Sequence, residues 1–182
     1  RVVGVAAPEQ LTGVPATQDD PDDQQSAGFK HDLVLATETP RFIVTLDGED
    51  DDDLDLFLLY DANDDGTFAY DDEVVGESAG PTGDEQIELV GFQPAGAYQI
   101  WVHGYDVQGT ESTFDLTIDV VQGDSLAVRA APASAPAGEA TTVTVCADPA
   151  TPEGVDGPAT GLPTVGPGGA PGLFQVPVTW AR

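Results

Sequence analysis

Between Phe29 and Val120 apolar and polar residues alternate with a period of two, the spacing of strands that bury one face. DLDLFLLY places Leu54, Leu56, Leu58 and Tyr60 on one side and Asp53 and Asp55 on the other. RFIVTLDG sets Phe42, Val44 and Leu46 on one face, and EQIELVGF turns Ile87 and Leu89 inward. AGAYQIWVHGYD puts Tyr98, Ile100 and Val102 opposite Trp101 and His103. TFDLTIDVV aligns Phe114, Leu116, Ile118 and Val120 against Asp115, Thr117 and Asp119. With FKHDLVLA and EVVGES this makes seven short strands, with turn residues about every 8–15 positions. The pattern predicts an all-β chain, with an antiparallel β-sandwich or jelly roll over residues 29–123 and no helix beyond a turn or two.

The flanks break this rhythm. Residues 1–16 hold one apolar run, Val2-Val3-Gly4-Val5, followed by Pro8 and Pro15. They read as an edge strand or arm, and TQDDPDDQQSAG reads as a polar linker, so residues 1–28 are expected to stand apart. Residues 124–182 contain three further strand-like segments, DSLAVRA, ATTVTVCA and LFQVPVTWA, with a Pro/Gly/Ala-rich stretch at 148–172. Three strands in so short a module leave open edges and a thin core, so a second small, incomplete β-sandwich-like module is expected.

Charge narrows the partners. The 182 residues carry 33 acids against 5 lysines and arginines, a net charge of −28. Neutralising phosphates requires clustered Lys and Arg, so nucleic acid and anionic membranes are excluded as natural partners. No stretch approaches the 18 apolar residues of a membrane-spanning helix, and no membrane insertion is expected. Divalent cations, a saline habitat or a basic partner fit this charge. Asp outnumbers Glu 23 to 10, which favours cation ligands borne on turns. The chain opens Arg-Val-Val without a leader pattern and reads as a mature or excised piece of a longer precursor.

The candidate chemistry lies after the DLDLFLLY strand. In DANDDGTFAYDD, Asp61, Asn63 and Asp65 occupy positions 1, 3 and 5 of a twelve-residue loop, Gly66 position 6 and Asp72 position 12. This is the oxygen spacing of a calcium loop, with the Thr67 carbonyl at position 7 and Gly66 permitting the sharp turn. Position 12 departs from the usual bidentate Glu; Asp72 binds there through one oxygen, or Glu73 reaches in instead. The flanking strands predict a strand–loop–strand site in place of two helices. Just upstream, Asp47, Glu49, Asp50, Asp51, Asp52, Asp53 and Asp55 form an acidic run. It is either a solvated, salt-tolerant loop or a second calcium site in which Asp53 and Asp55 share a cation near Asp61.

Other chemistry finds no support. His31 and His103 sit inside strands as filler, outward-facing or hydrogen-bonded, and the lone Cys146 between apolar neighbours reads as a small buried hydrophobe. Trp101 and Trp180 read as packing residues; a sugar platform is the alternative. The motif contexts of a Ser-His-Asp triad, HExxH, CxxC and a phosphate-binding glycine loop are all missing, so the chain is expected not to be an enzyme.

The succession DLDLFLLYDANDDG, EQIELVGFQPAGAYQIWVHGYD and TFDLTIDVV resembles the bacterial pre-peptidase C-terminal domain, over about residues 29–123. That family is an all-β accessory module behind the catalytic domains of secreted proteases. The resemblance implies a calcium-type loop at Asp61, Asn63, Asp65 and Asp72. The end of the chain, with its Val-Pro-Val segment, resembles the fibronectin-like tail of bacterial subtilisin-like proteases. The implied function is a non-catalytic, calcium-stabilised accessory region of such a protease, secreted or at the cell surface, partnered by calcium and by the catalytic domain of the same precursor. The alternative is a structural subunit of an extracellular filament or surface layer that joins copies of itself by strand addition.

Overall fold

The computed structural model describes residues 2–109, 112–123, 126–130, 140, 142–147, 159–165, 174–175 and 178–180. The protein is an all-β chain of antiparallel strands that divides into two compact units: Pro8–Val120, and residues 1–7 together with 121–182.

The first unit is a sandwich of two four-stranded sheets. One has the order β2 (Glu9–Pro15), β9 (Thr113–Val120), β4 (Phe42–Asp47), β7 (Glu85–Leu89). The other has the order β3 (Phe29–Leu35), β8 (Gly96–Asp106), β5 (Asp53–Tyr60), β6 (Val74–Ser78). The alternation explains which faces meet. Phe42, Val44, Leu46, Leu54, Leu56, Leu58, Ile100, Phe114 and Leu116 are buried together between the sheets. Each such side chain taken out of water contributes about 1.5–3 kcal/mol. Tyr98 closes one end of this core; its hydroxyl donates to the Pro94 carbonyl at 3.0 Å, and burial pushes the phenol up to about 12.

The second sheet is also buried on part of its outer face, along β5 and β8. Phe57, Leu59 and Trp101 join Ala27 in a separate apolar cluster, with Phe68, Tyr70 and Val74 packed against it. Residues 17–28, expected as a linker, lie over this face as an ordered strap. The Asp19 N–H donates to the Gly104 carbonyl at 2.9 Å, and the Asp19 carboxylate accepts from the Gly28 and Gly104 amides at 2.9 Å each. A Cβ on Gly104 would collide with the Thr17 carbonyl, so only glycine lets the strap lie so close to β8. Residues 9–15, expected as an edge strand or arm, form β2 and pair with β9. The sandwich therefore begins at Pro8, twenty-one residues before the boundary expected at residue 29.

In the second unit, β1 (Val2–Ala6) pairs with β12 (Ala159–Val165), which also pairs with β13 (Phe174–Gln175) and β14 (Val178–Trp180). The strands β10 (Leu126–Ala130) and β11 (Thr144–Ala147) form a separate antiparallel pair. Three of these strand regions follow the sequence expectation; β12 arises within the Pro/Gly-rich stretch, with Pro163 standing opposite Val2. The rest of that stretch, residues 148–158 and 166–172, lies outside the described residues.

Candidate metal centre

Strand β5 delivers the chain into the acidic loop, and the Asp61 N–H donates to the Ala97 carbonyl at 3.1 Å, fixing the loop's first residue to β8. From there the side chains at alternate positions fold back onto the loop's own amides. The Asp61 carboxylate accepts from the Asp65 amide at 3.1 Å and the Gly66 amide at 2.9 Å. Asn63 Oδ1 also accepts from the Asp65 amide at 2.9 Å, and Asn63 Nδ2 donates to Asp65 Oδ2 at 3.0 Å. Asp65 Oδ1 accepts from the Thr67 amide at 2.8 Å and from its hydroxyl at 2.6 Å. The tight curl needs φ of +57° at Asp64 and +77° at Gly66, a conformation that Asp tolerates and glycine takes without strain. Hydrogen bonds from the Thr67 hydroxyl and amide, with Asn63 adding a smaller contribution, hold the Asp65 carboxyl below the usual range.

The end of the loop differs from a strand–loop–strand hairpin by one helical turn, α1 (Tyr70–Glu73). Asp72 lies exposed on that turn. Glu73 is buried instead: its Oε2 accepts from the Ala69 amide at 2.9 Å, while Oε1 is buried without a hydrogen-bond partner. The structure thus draws Asp61, Asn63, Asp65 and Thr67 into one network and sets Asp72 and Glu73 at its close. Among the described residues, no three His, Cys, Asp or Glu side chains are gathered into a ready metal cluster.

Asp53 and Asp55 are at the other end of β5, opposite Asp106 and His103. The structure does not bring them to Asp61. Asp55 is buried, and burial is the main cause that pushes its carboxyl up; His103 pulls it down, and Asp53 and Glu85 push it up. The rest of the acidic run is divided. Asp52 is 3% exposed, its Oδ1 accepting from the Gln108 amide at 2.7 Å and its Oδ2 from the Ser112 hydroxyl. Its neighbours Glu49, Asp50 and Asp51 line an open cleft of about 710 Å³ beside it.

Trp101 packs in the interior, as the sequence reading expects, and His103 takes the hydrogen-bonded of its two expected roles, fully buried. Trp101 is fully buried, its indole N–H donating to Gln99 Oε1 at 2.5 Å and the Lys30 ammonium lying 3.9 Å from the ring centroid. It is covered and offers no sugar platform. His103 is fully buried, with Nε2 3.0 Å from the Asp20 carbonyl and Nδ1 3.5 Å from Asp55 Oδ2. A signal for this was present in Leu56-Phe57-Leu58-Leu59, a continuous apolar run of the kind that marks a strand buried on both faces. His31 is half-buried, with Nε2 3.3 Å from Glu9 Oε1. Cys146 is a free thiol of intermediate exposure on β11. Compared with protein-family models and with curated proteins, the chain matches none.

Proposed function

We propose that this chain is a non-catalytic, calcium-stabilised extracellular β-sandwich region, serving as an accessory part of a secreted subtilisin-like protease. One observation carries the calcium reading: the side chains at loop positions 1, 3 and 5 are already turned inward and tied to the amides at positions 5, 6 and 7. Both Asp61 oxygens and Asp65 Oδ2 accept one hydrogen bond each and keep a second lone pair, so a hard cation can be added without undoing those bonds. Asp61, Asn63 and Asp65 would hold the ion with the Thr67 carbonyl. Glu73, with a buried Oε1 that receives no donor, is favoured over the exposed Asp72 as the closing acid.

When bound, calcium would supply charge neutralisation and cross-linking, and no chemistry. Its binding free energy would add to folding, since the unfolded chain presents no such loop. The accessory role rests on the resemblance of the strands around this loop to the pre-peptidase C-terminal module, and the docking partner is then the catalytic domain of the same precursor. The alternative, strand addition between copies, draws on a free N-terminal arm, two chain ends that can each offer an edge strand and an incomplete C-terminal sheet; of these, the arm pairs as β1 and β2 within its own chain. Calorimetric titration of the EDTA-stripped protein with calcium tests the site: saturable binding is expected, weakened at least tenfold in Asp65→Ala. Equal heats in the wild type and this variant would overturn the assignment of the loop.

A further inference from the structure

The strap over the second sheet ends on a buried histidine that has two acceptors to satisfy. Nε2 of His103 faces the Asp20 carbonyl at 3.0 Å, and a carbonyl only accepts, so Nε2 carries a proton. Nδ1 faces the Asp55 carboxylate at 3.5 Å, is buried, and has no other partner among the described residues. A neutral ring has one proton for these two acceptors. If it stays on Nε2, the Nδ1 lone pair faces a carboxylate in a site closed to water; if it moves to Nδ1, the Nε2 lone pair faces the Asp20 oxygen. Only a second proton makes both contacts attractive.

We propose that His103 and Asp55 bind a proton between Nδ1 and Oδ2, and that this proton latches residues 17–28 over the Phe57–Leu59–Trp101 face. On its release to solvent, either the Asp20 anchor or the Asp55 contact turns repulsive, and the strap loosens over the aromatic cluster. The surrounding charges favour the protonated form. On β5, Asp53 lies two residues before Asp55, and Asp106 pairs opposite Asp53 from β8. From the strap, the Asp19 carboxylate accepts the Gly104 amide beside His103. Glu85 of β7 acts on Asp55, and Asp55 and Glu77 of β6 both act on the Tyr70 hydroxyl beside Phe57. Among the described residues, Lys30 is the cation of this face, and it is engaged with the Trp101 ring and the Gln25 carbonyl.

The direction follows from linkage. Asp55 holds its proton more tightly in the fold than in the open chain, chiefly through burial, even though His103 pulls the other way. A group raised on folding stabilises the folded state at pH below its ordinary value, and that contribution is lost as pH climbs through the folded value. The latch is therefore closed on the acid side and opens as pH rises.

Asp55→Asn separates this latch from ordinary packing. Its carboxamide can donate to a neutral Nδ1 while Nε2–H keeps the Asp20 bond, so no extra proton is required. Amide hydrogen exchange, corrected for the intrinsic pH dependence, is followed at Asp19, Gly28 and Gly104 from about pH 5 to about pH 9 at fixed calcium, with Leu116 as a core control. In the wild type, strap protection is expected to fall about tenfold or more while Leu116 holds; in Asp55→Asn it stays level. Parallel curves in the two proteins, or a level wild-type curve, would overturn the proposal. Should Asp55→Asn fail to fold, the nitrogen-15 signals of His103 and the carbon-13 signal of the Asp55 carboxyl in the wild type decide. One proton lost from the pair at the pH where the strap opens, seen at the ring nitrogens or at the carboxyl carbon, supports the latch; a ring and a carboxyl that both keep their protonation across that pH overturn it.

Discussion

Asp52 and Asp65 belong to the same acidic stretch, thirteen residues apart, and the fold treats them in opposite ways. Asp52 is buried, with the Gln108 amide on one oxygen and the Ser112 hydroxyl on the other, so its charge is answered by fixed donors from the β8–β9 connection. Asp65 is exposed and answered by its own loop, through Thr67 and Asn63. The first acid joins two distant segments and is part of how the sandwich closes. The second shapes a local, exposed curl, the one on which the proposed calcium site draws. A run of carboxylates is thus no single feature: the donors that reach each one decide whether it ties distant segments together or only its own loop.

This contrast is most sharply broken at Asp52. Asp52→Ala leaves the part-buried Gln108 amide and the buried Ser112 hydroxyl without acceptors and is expected to destabilise the sandwich by about 2 kcal/mol in urea unfolding, with or without calcium. A loss that appears only in the presence of calcium would place Asp52 among the ligands and erase the distinction. At the small end stands Thr67→Ala, which removes the first cause holding the Asp65 carboxyl low. A carboxyl depressed in the fold stabilises above its ordinary value and loses that contribution as pH falls through the folded value. The variant lacks part of that contribution, so in EDTA it should be slightly less stable than the wild type near neutrality, and the gap should close as pH falls through the folded value. A stability difference that is the same at every pH, or none at all, would mean that the Thr67 contacts do not hold the carboxyl.

Much of the sandwich is written in simple alternation. Phe42, Val44 and Leu46 on β4 and Phe114, Leu116 and Ile118 on β9 point where a period of two places them. The strap was hidden because its order comes from side-chain bonds of Gln18, Asp19 and Ser26, which leave no hydrophobic period to read. Strand β12 was hidden because Gly161 and Pro163 are poor strand residues, and its pairing with β1 and β14 overrides their local preference. Within the loop, positions 1, 3, 5 and 6 could be named from spacing. The helical turn that exposes Asp72 and buries Glu73 could not, since it depends on Glu73 accepting the Ala69 amide. Asp53 and Asp55 shared a face with no indication that a strap and a histidine would cover it.

The most direct test is thermal unfolding of the protein in EDTA and in about 5 mM calcium, beside Asp61→Ala. A ligand at a hundredfold excess over its dissociation constant adds about 2.7 kcal/mol, a rise of about 10 °C for a domain of this size. The sandwich transition is expected to rise by that order in the wild type and to stay put in Asp61→Ala. Melting curves of the wild type that coincide in EDTA and in calcium would contradict a calcium-stabilised loop.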